Sequence, residues 1–174
     1  IHASRLTIKP NAVSIVIRNM NKTAKLIISI AIPVAIGALS GFFTTTGEGS
    51  WYRTINKPSW NPPGWIFGPV WTTLYILMGI AFYLVWRSPE SKVRRTALIL
   101  FGIQLILNFF WSFIFFDQQQ IGMALAEIIA LWVFILLSIF AFAKVSKTAA
   151  WLLVPYISWV SFATILTYTI WKLN

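Results

Sequence analysis

Of the 174 residues, 58% are hydrophobic and only 10% charged, and the mean hydropathy is +0.75. One soluble core could not hide that much apolar surface, so the natural solvent for this chain is a bilayer. The net charge of +10 would suit nucleic acid, but the cations are spaced along the chain in a way that excludes it, and the lack of cysteine excludes disulfides and thiolate metal sites.

Residues 1–19 show neither a helical period nor a cleavable signal, and Met20-Asn-Lys-Thr-Ala-Lys before an apolar run reads as a natural start. The first 19 residues are therefore set aside as an N-terminal extension. A spanning helix needs about 20 mostly apolar residues. Five such runs follow, at 26–43, 65–86, 96–116, 121–143 and 149–171. They predict an all-α membrane protein, a five transmembrane helix bundle forming one domain over residues 20–174.

Between the first two spans lies a loop, 44–64, that is long and rich in proline and tryptophan. Its Trp51, Lys57, Pro58, Trp60, Pro62 and Pro63 make it stiffer than a Gly/Ser linker and too apolar to float in water. Two readings stay open: a lid over a pocket at the bundle end, or an anchor whose indoles sit among headgroups.

Eleven of the 14 basic residues fall on one side of the five spans: Arg5, Lys9, Arg18, Lys22 and Lys25 before the first, Arg87, Lys92, Arg94 and Arg95 after the second, Lys144 and Lys147 after the fourth. Arg53, Lys57 and Lys172 fall on the other. This bias predicts a multi-pass protein of a bacterial cell membrane with its N-terminus in the cytoplasm and its C-terminus outside. The cations are topology signals first and contacts for anionic membrane lipid second.

Acids are scarce: Glu48, Glu90, Asp117 and Glu127. Paired carboxylates, a Ser/His/Asp set and a metal site are missing, so no residue is assigned a catalytic or metal-binding role and no cofactor is required. His2, the single histidine, lies in the extension, so a tetrapyrrole held here would be bound by packing rather than by iron ligation. Glu127, about two turns into the fourth span, reads as a snorkelling or helix-pairing residue, with a functional role as the alternative.

The third span places Gln104, Asn108, Trp111 and Phe115 on one face. Amides facing lipid are costly, so they point inward, either to bond a neighbouring helix or to serve a ligand. Trp71, Tyr75, Gly79 and Phe82 form a stripe on the second span; Pro155, Trp159, Ala163 and Leu166 form one on the fifth. Of ten tryptophans, Trp51, Trp65, Trp86 and Trp171 fall at interfacial depth, whereas Trp71, Trp111 and Trp159 lie deeper, where indole faces pack or clasp a flat ring.

Trp51-Tyr52, Lys57-Pro58-Ser59-Trp60-Asn61-Pro62-Pro63-Gly64-Trp65, Gly68-Pro69-Val70-Trp71 and Leu74-Tyr75 together resemble the translocator protein family (TspO/MBR, tryptophan-rich sensory proteins). The resemblance continues through Gln104 to Asn108 with Trp111, Pro155-Tyr156 with Trp159, and Phe162-Ala163-Thr164. It implies a five-helix bundle whose pocket, closed by the first loop, binds porphyrins such as protoporphyrin IX, and in some members sterols or isoquinoline carboxamides. Carried over position by position, it points to Trp71, Gln104, Asn108, Trp159, Ala163 and Leu166. Tyr75 and Trp111 join them from the stripes above. A weak sterol motif would correspond to Leu166, Tyr168 and Lys172.

There are two departures. Ile99 and Ile103 stand where some relatives carry a Gly-xxx-Gly pair, although Gly37 and Gly41 form one on the first span, for a homodimer or for internal packing. Met123 stands where animal members carry a tryptophan. The expected function is a binding protein in tetrapyrrole sensing, regulation or transport. The alternatives are light- and oxygen-dependent porphyrin degradation, with Trp71 and Trp159 as redox partners, and a porphyrin or sterol transporter.

Overall fold

The computed structural model describes residues 20–174, so the extension proposed for residues 1–19 lies outside the described residues. Helix α1 is Lys22–Phe43, the short α2 is Trp51–Thr54, and a 3-10 turn, Gly64–Ile66, leads into α3, Phe67–Trp86. Helix α4, Lys92–Ser112, ends in a π turn, Phe113–Asp117; then come α5, Ile121–Ala143, α6, Lys147–Leu152, and α7, Val154–Leu173. Among the described residues, five stretches are long and apolar enough to cross a membrane: Lys22–Phe43, Gly64–Trp86, Lys92–Asp117, Ile121–Ala143 and Lys147–Leu173.

Three of these begin two to four residues earlier than the apolar runs, for a local reason. Asn21, Ser91 and Ser146 are N-caps: their side-chain oxygens accept from the backbone N–H of Ala24 (2.7 Å), Arg94 (3.1 Å) and Ala149 (3.3 Å). The caps satisfy otherwise orphaned donors and carry a polar first turn that hydropathy alone does not see. The fifth span is not one helix. Pro155 has no N–H to donate to the carbonyl of Trp151, and the chain breaks at Leu153 between α6 and α7.

Helix α1 lies on α3, α4 packs on α5 and α1, and α5 packs on α7. Large apolar residues such as Ile27, Phe42, Ile99, Ile106 and Phe140 face outward, as lipid contact requires. Association in lipid depends on close packing rather than on burial from water, and here small residues supply it. Gly79 lets α3 meet the α1 backbone, since a Cβ there would stand 2.5 Å from Ile30 Cα and 2.9 Å from the Ser29 carbonyl oxygen. Pro33, inside α1, removes the N–H that would otherwise bond that carbonyl. Of the Gly-xxx-Gly pair, Gly37 serves internal packing, because the Tyr75 ring fills the place of its missing side chain, whereas nothing lies within 4 Å of a Cβ added at Gly41.

One buried cluster fills the half away from the first loop, around Met78, Val85, Phe101, Leu105, Ile135 and Phe142. A smaller one, with Tyr52, Phe115, Phe116, Ala124, Leu166 and Ile170, closes the loop end. Trp111 borders both clusters, and a cavity opens between them.

Candidate functional site

The cavity holds about 370 Å³, at the low end of the range for small-molecule sites. Its floor is Tyr75, Asn108, Leu131 and Val160, and its walls carry Trp71, Trp111 and Trp159. Below the floor the bundle is solid, with Met78, Gln104, Ile135 and Tyr156 buried. The cavity is therefore a blind pocket within the half of the bundle that carries the first loop.

Each wall indole is braced by another ring. Trp71 stacks on Tyr75 (centroids 5.5 Å apart, 28° between planes) and meets Tyr156 edge-on. Trp111 stacks on Phe115 at 5.2 Å and 20°. Trp159 contacts Phe67 edge-on at 6.1 Å and Phe162 at 5.4 Å. The floor is tied by a chain of hydrogen bonds across three helices. The Tyr75 hydroxyl donates to Asn108 Oδ1, Asn108 Nδ2 donates to the Tyr156 hydroxyl (3.1 Å), and that hydroxyl donates to Gln104 Oε1 (2.9 Å). Gln104 Nε2 ends the chain 4.0 Å from Met78 Sδ. A buried polar network in which every member has a partner holds its side chains in one arrangement, and this one sets the ring planes above it.

The TspO/MBR family model matches residues 29–172. The chain is 46% identical to the tryptophan-rich protein TspO of Chlorobaculum tepidum over 160 residues, which cover 89% of this chain and 99% of that one. It is 42% identical to the tryptophan-rich protein TspO of Archaeoglobus fulgidus (86% and 97% covered) and 40% identical to the translocator protein of Homo sapiens (80% and 85% covered). The chain belongs to the TspO/MBR family. It is an integral, multi-pass membrane protein of that family.

In this TspO/MBR chain, six of the eight candidate ligand residues line the cavity: Trp71, Tyr75, Asn108, Trp111, Trp159 and Ala163. The other two do not. Gln104 lies one turn below the floor within the hydrogen-bond chain, and Leu166 lines a second, much smaller void of about 20 Å³ on the far side of Ala163. On α7 the inward stripe is Tyr156, Trp159, Ala163 and Leu166; Pro155 is exposed and belongs to the break, not to the pocket. Tyr156, wholly buried and central to the network, is the site residue that stripe counting passed over. Phe116 is another: the π turn widens the helix, Gln118 N bonding back to Phe113 O at 3.0 Å, and brings residue 116 as well as 115 inward.

The first loop folds over the bundle end. Tyr52 is buried against Phe115 and Phe116, Trp51 meets Phe115 edge-on at 5.8 Å, and Trp60 meets Phe162 at 5.9 Å. Tyr52 donates to Asn61 Oδ1 at 2.8 Å, and burial pushes its hydroxyl pKa up against the opposing effect of that bond. The Lys57 ammonium donates to the carbonyls of Tyr52 and Ile55 and sits over the Tyr52 ring; desolvation, then the charge of Arg53, lowers its pKa. Asn56 bonds Leu173 and Asn174 at the end of α7. None of Trp51, Lys57, Pro58, Trp60, Pro62 and Pro63 lines the cavity, to which the loop gives only residues near its two ends, Thr44 and Thr46 at one and Gly64 at the other.

Leu166, Tyr168 and Lys172 do not share a surface, since Leu166 is buried while Tyr168 and Lys172 face outward. Met123 is exposed and stands apart from the cavity. Glu127 neither snorkels nor pairs: both of its carboxylate oxygens are enclosed without a hydrogen-bond partner among the described residues, because it sits on the inward arc of α5 between Ala124 and Leu131.

Proposed function

We propose that this chain binds a flat hydrophobic ligand, a porphyrin of the protoporphyrin IX type, in the indole-walled cavity, and that it serves tetrapyrrole sensing or regulation. The observation that carries this reading is the set of three braced indoles, Trp71, Trp111 and Trp159, around one blind pocket. Braced rings offer stacking faces at little entropic cost. Binding is favoured over a through-path because the cavity stops at Tyr75, Asn108, Leu131 and Val160. Sterols and isoquinoline carboxamides are further ligands of the same flat, apolar kind. The membrane is the bacterial cell membrane with the N-terminus cytoplasmic, in keeping with the basic residues, which places the pocket in the outer half.

Protoporphyrin IX should quench the intrinsic tryptophan fluorescence saturably, and Trp71→Phe combined with Trp159→Phe should weaken its affinity by about tenfold or more, the loss of roughly 1.4 kcal/mol of stacking. Linear, unsaturable quenching, or an unchanged Kd in the double variant, would remove the assignment.

A further inference from the structure

Among the described residues, no charged one lines the cavity. Its polar groups are hydroxyls, the indole N–H groups of its tryptophans and one carboxamide: Ser40, Thr44, Thr72, Ser112 and Asn108 among them. Thr44 and Ser112 bond each other at 3.3 Å, and Thr72 bonds its own helix at Gly68 O. The loop cations are not aimed inward either, since Lys57 is spent on two carbonyls and Arg53 lies on the exposed side of α2. An ionised carboxylate inside would have no counter-charge, and burying one unpaired is prohibitive.

The cavity is nevertheless open along one side. Ala38 and Gly41 of α1 and Gly68 and Thr72 of α3 all line it, and all four are exposed. Between them runs a slot in the flank of the bundle, where lipid rather than the loop would lie. Towards the loop it ends at Thr46 and Gly64, at the termini of the two helices, which is headgroup depth for helices of this length.

From these two features, and resting on the binding reading above, we infer that the cavity takes its ligand from the membrane, edge-first through the slot between α1 and α3, and encloses only an uncharged part of it. Any ionised substituent stays in the slot at its loop end. The ligand class is a planar ring system that is neutral or carries its charges along one edge. Planar molecules with charge around the whole ring are excluded.

Three porphyrins separate the cases when titrated against the full chain in the same lipid nanodiscs: protoporphyrin IX, with its carboxylates on one edge, its neutral dimethyl ester, and uroporphyrin, with carboxylates all round. The ester should bind as tightly as the diacid to within about threefold, or more tightly, and uroporphyrin at least about tenfold more weakly. An ester weakened by more than that, or uroporphyrin weakened by less, would overturn the inference. Failure of all three to saturate would instead sink the binding reading on which it rests.

Access is tested separately by Gly41→Phe, at a position where an added Cβ meets no neighbour within 4 Å, so that the backbone need not shift. It should slow association of protoporphyrin IX by about threefold or more at an unchanged melting temperature. A smaller change means that ligand does not pass the slot. Thr72→Phe on the facing edge gives the same readout should the first variant fold poorly.

Discussion

Gly79→Ala should destabilise the bundle by about 3 kcal/mol, the upper end of what overpacking usually costs. The added methyl group would fall 2.5 Å from the Ile30 Cα and 2.9 Å from the Ser29 carbonyl oxygen, and both are backbone atoms that no rotamer change can move. The two helices would have to part along the contact that also holds the Tyr75 ring against Gly37. Gly102→Ala, in the interior of α4 with nothing within 4 Å of its Cβ, is the matched control. It should be neutral or gain roughly 0.5–1 kcal/mol from helix propensity. Thermal unfolding followed by circular dichroism in one detergent compares them, and equal melting temperatures would mean that α1 and α3 are not in tight contact.

Ala163→Phe should abolish ligand binding while leaving the fold intact, with Kd rising by about 30-fold or more, equivalent to roughly 2 kcal/mol. Ala163 stands on the wall between the 370 Å³ cavity and the small void beneath Leu166, beside Trp159 and Phe116, so a phenyl ring there has space to enter but takes it from the ligand. Ala163→Ser, nearly the same size, should bind protoporphyrin IX as the parent does. Fluorescence titration of both variants decides the matter, since a Phe variant that still binds like the parent would show that ligand lies elsewhere.

The five spans were legible because lipid imposes a length and tolerates few charges, and the inward faces were legible because amides such as Asn108 cannot face lipid. What sequence missed follows from backbone irregularities. The π turn after Ser112 shifts the register by one and turns Phe116 inward, which a 3.6-residue period cannot anticipate. On α7, which runs unbroken from Val154, the inward position of the first turn is Tyr156, and Pro155 lies on the exposed side. Gln104 was placed on the right face but lies one turn too deep to line the cavity, because helix periodicity gives direction and not depth. Glu127 is the reverse case: about two turns into its span it reads as a snorkelling or helix-pairing residue, yet its oxygens are enclosed. For the first loop, composition foretold that it would fold onto the bundle, and Tyr52 shows how, but which residues reach the cavity depended on contacts with α7 from 118 residues away.

The most direct test is to determine the structure of the chain with protoporphyrin IX bound in lipid. The macrocycle should lie between Trp71 and Trp159 above the Tyr75–Asn108–Tyr156 chain, with its carboxylate edge towards the slot between α1 and α3. A macrocycle on the outer surface of the bundle, or beneath the loop around Trp51 and Trp60 with the cavity unfilled, would contradict the assignment of this pocket as the binding site.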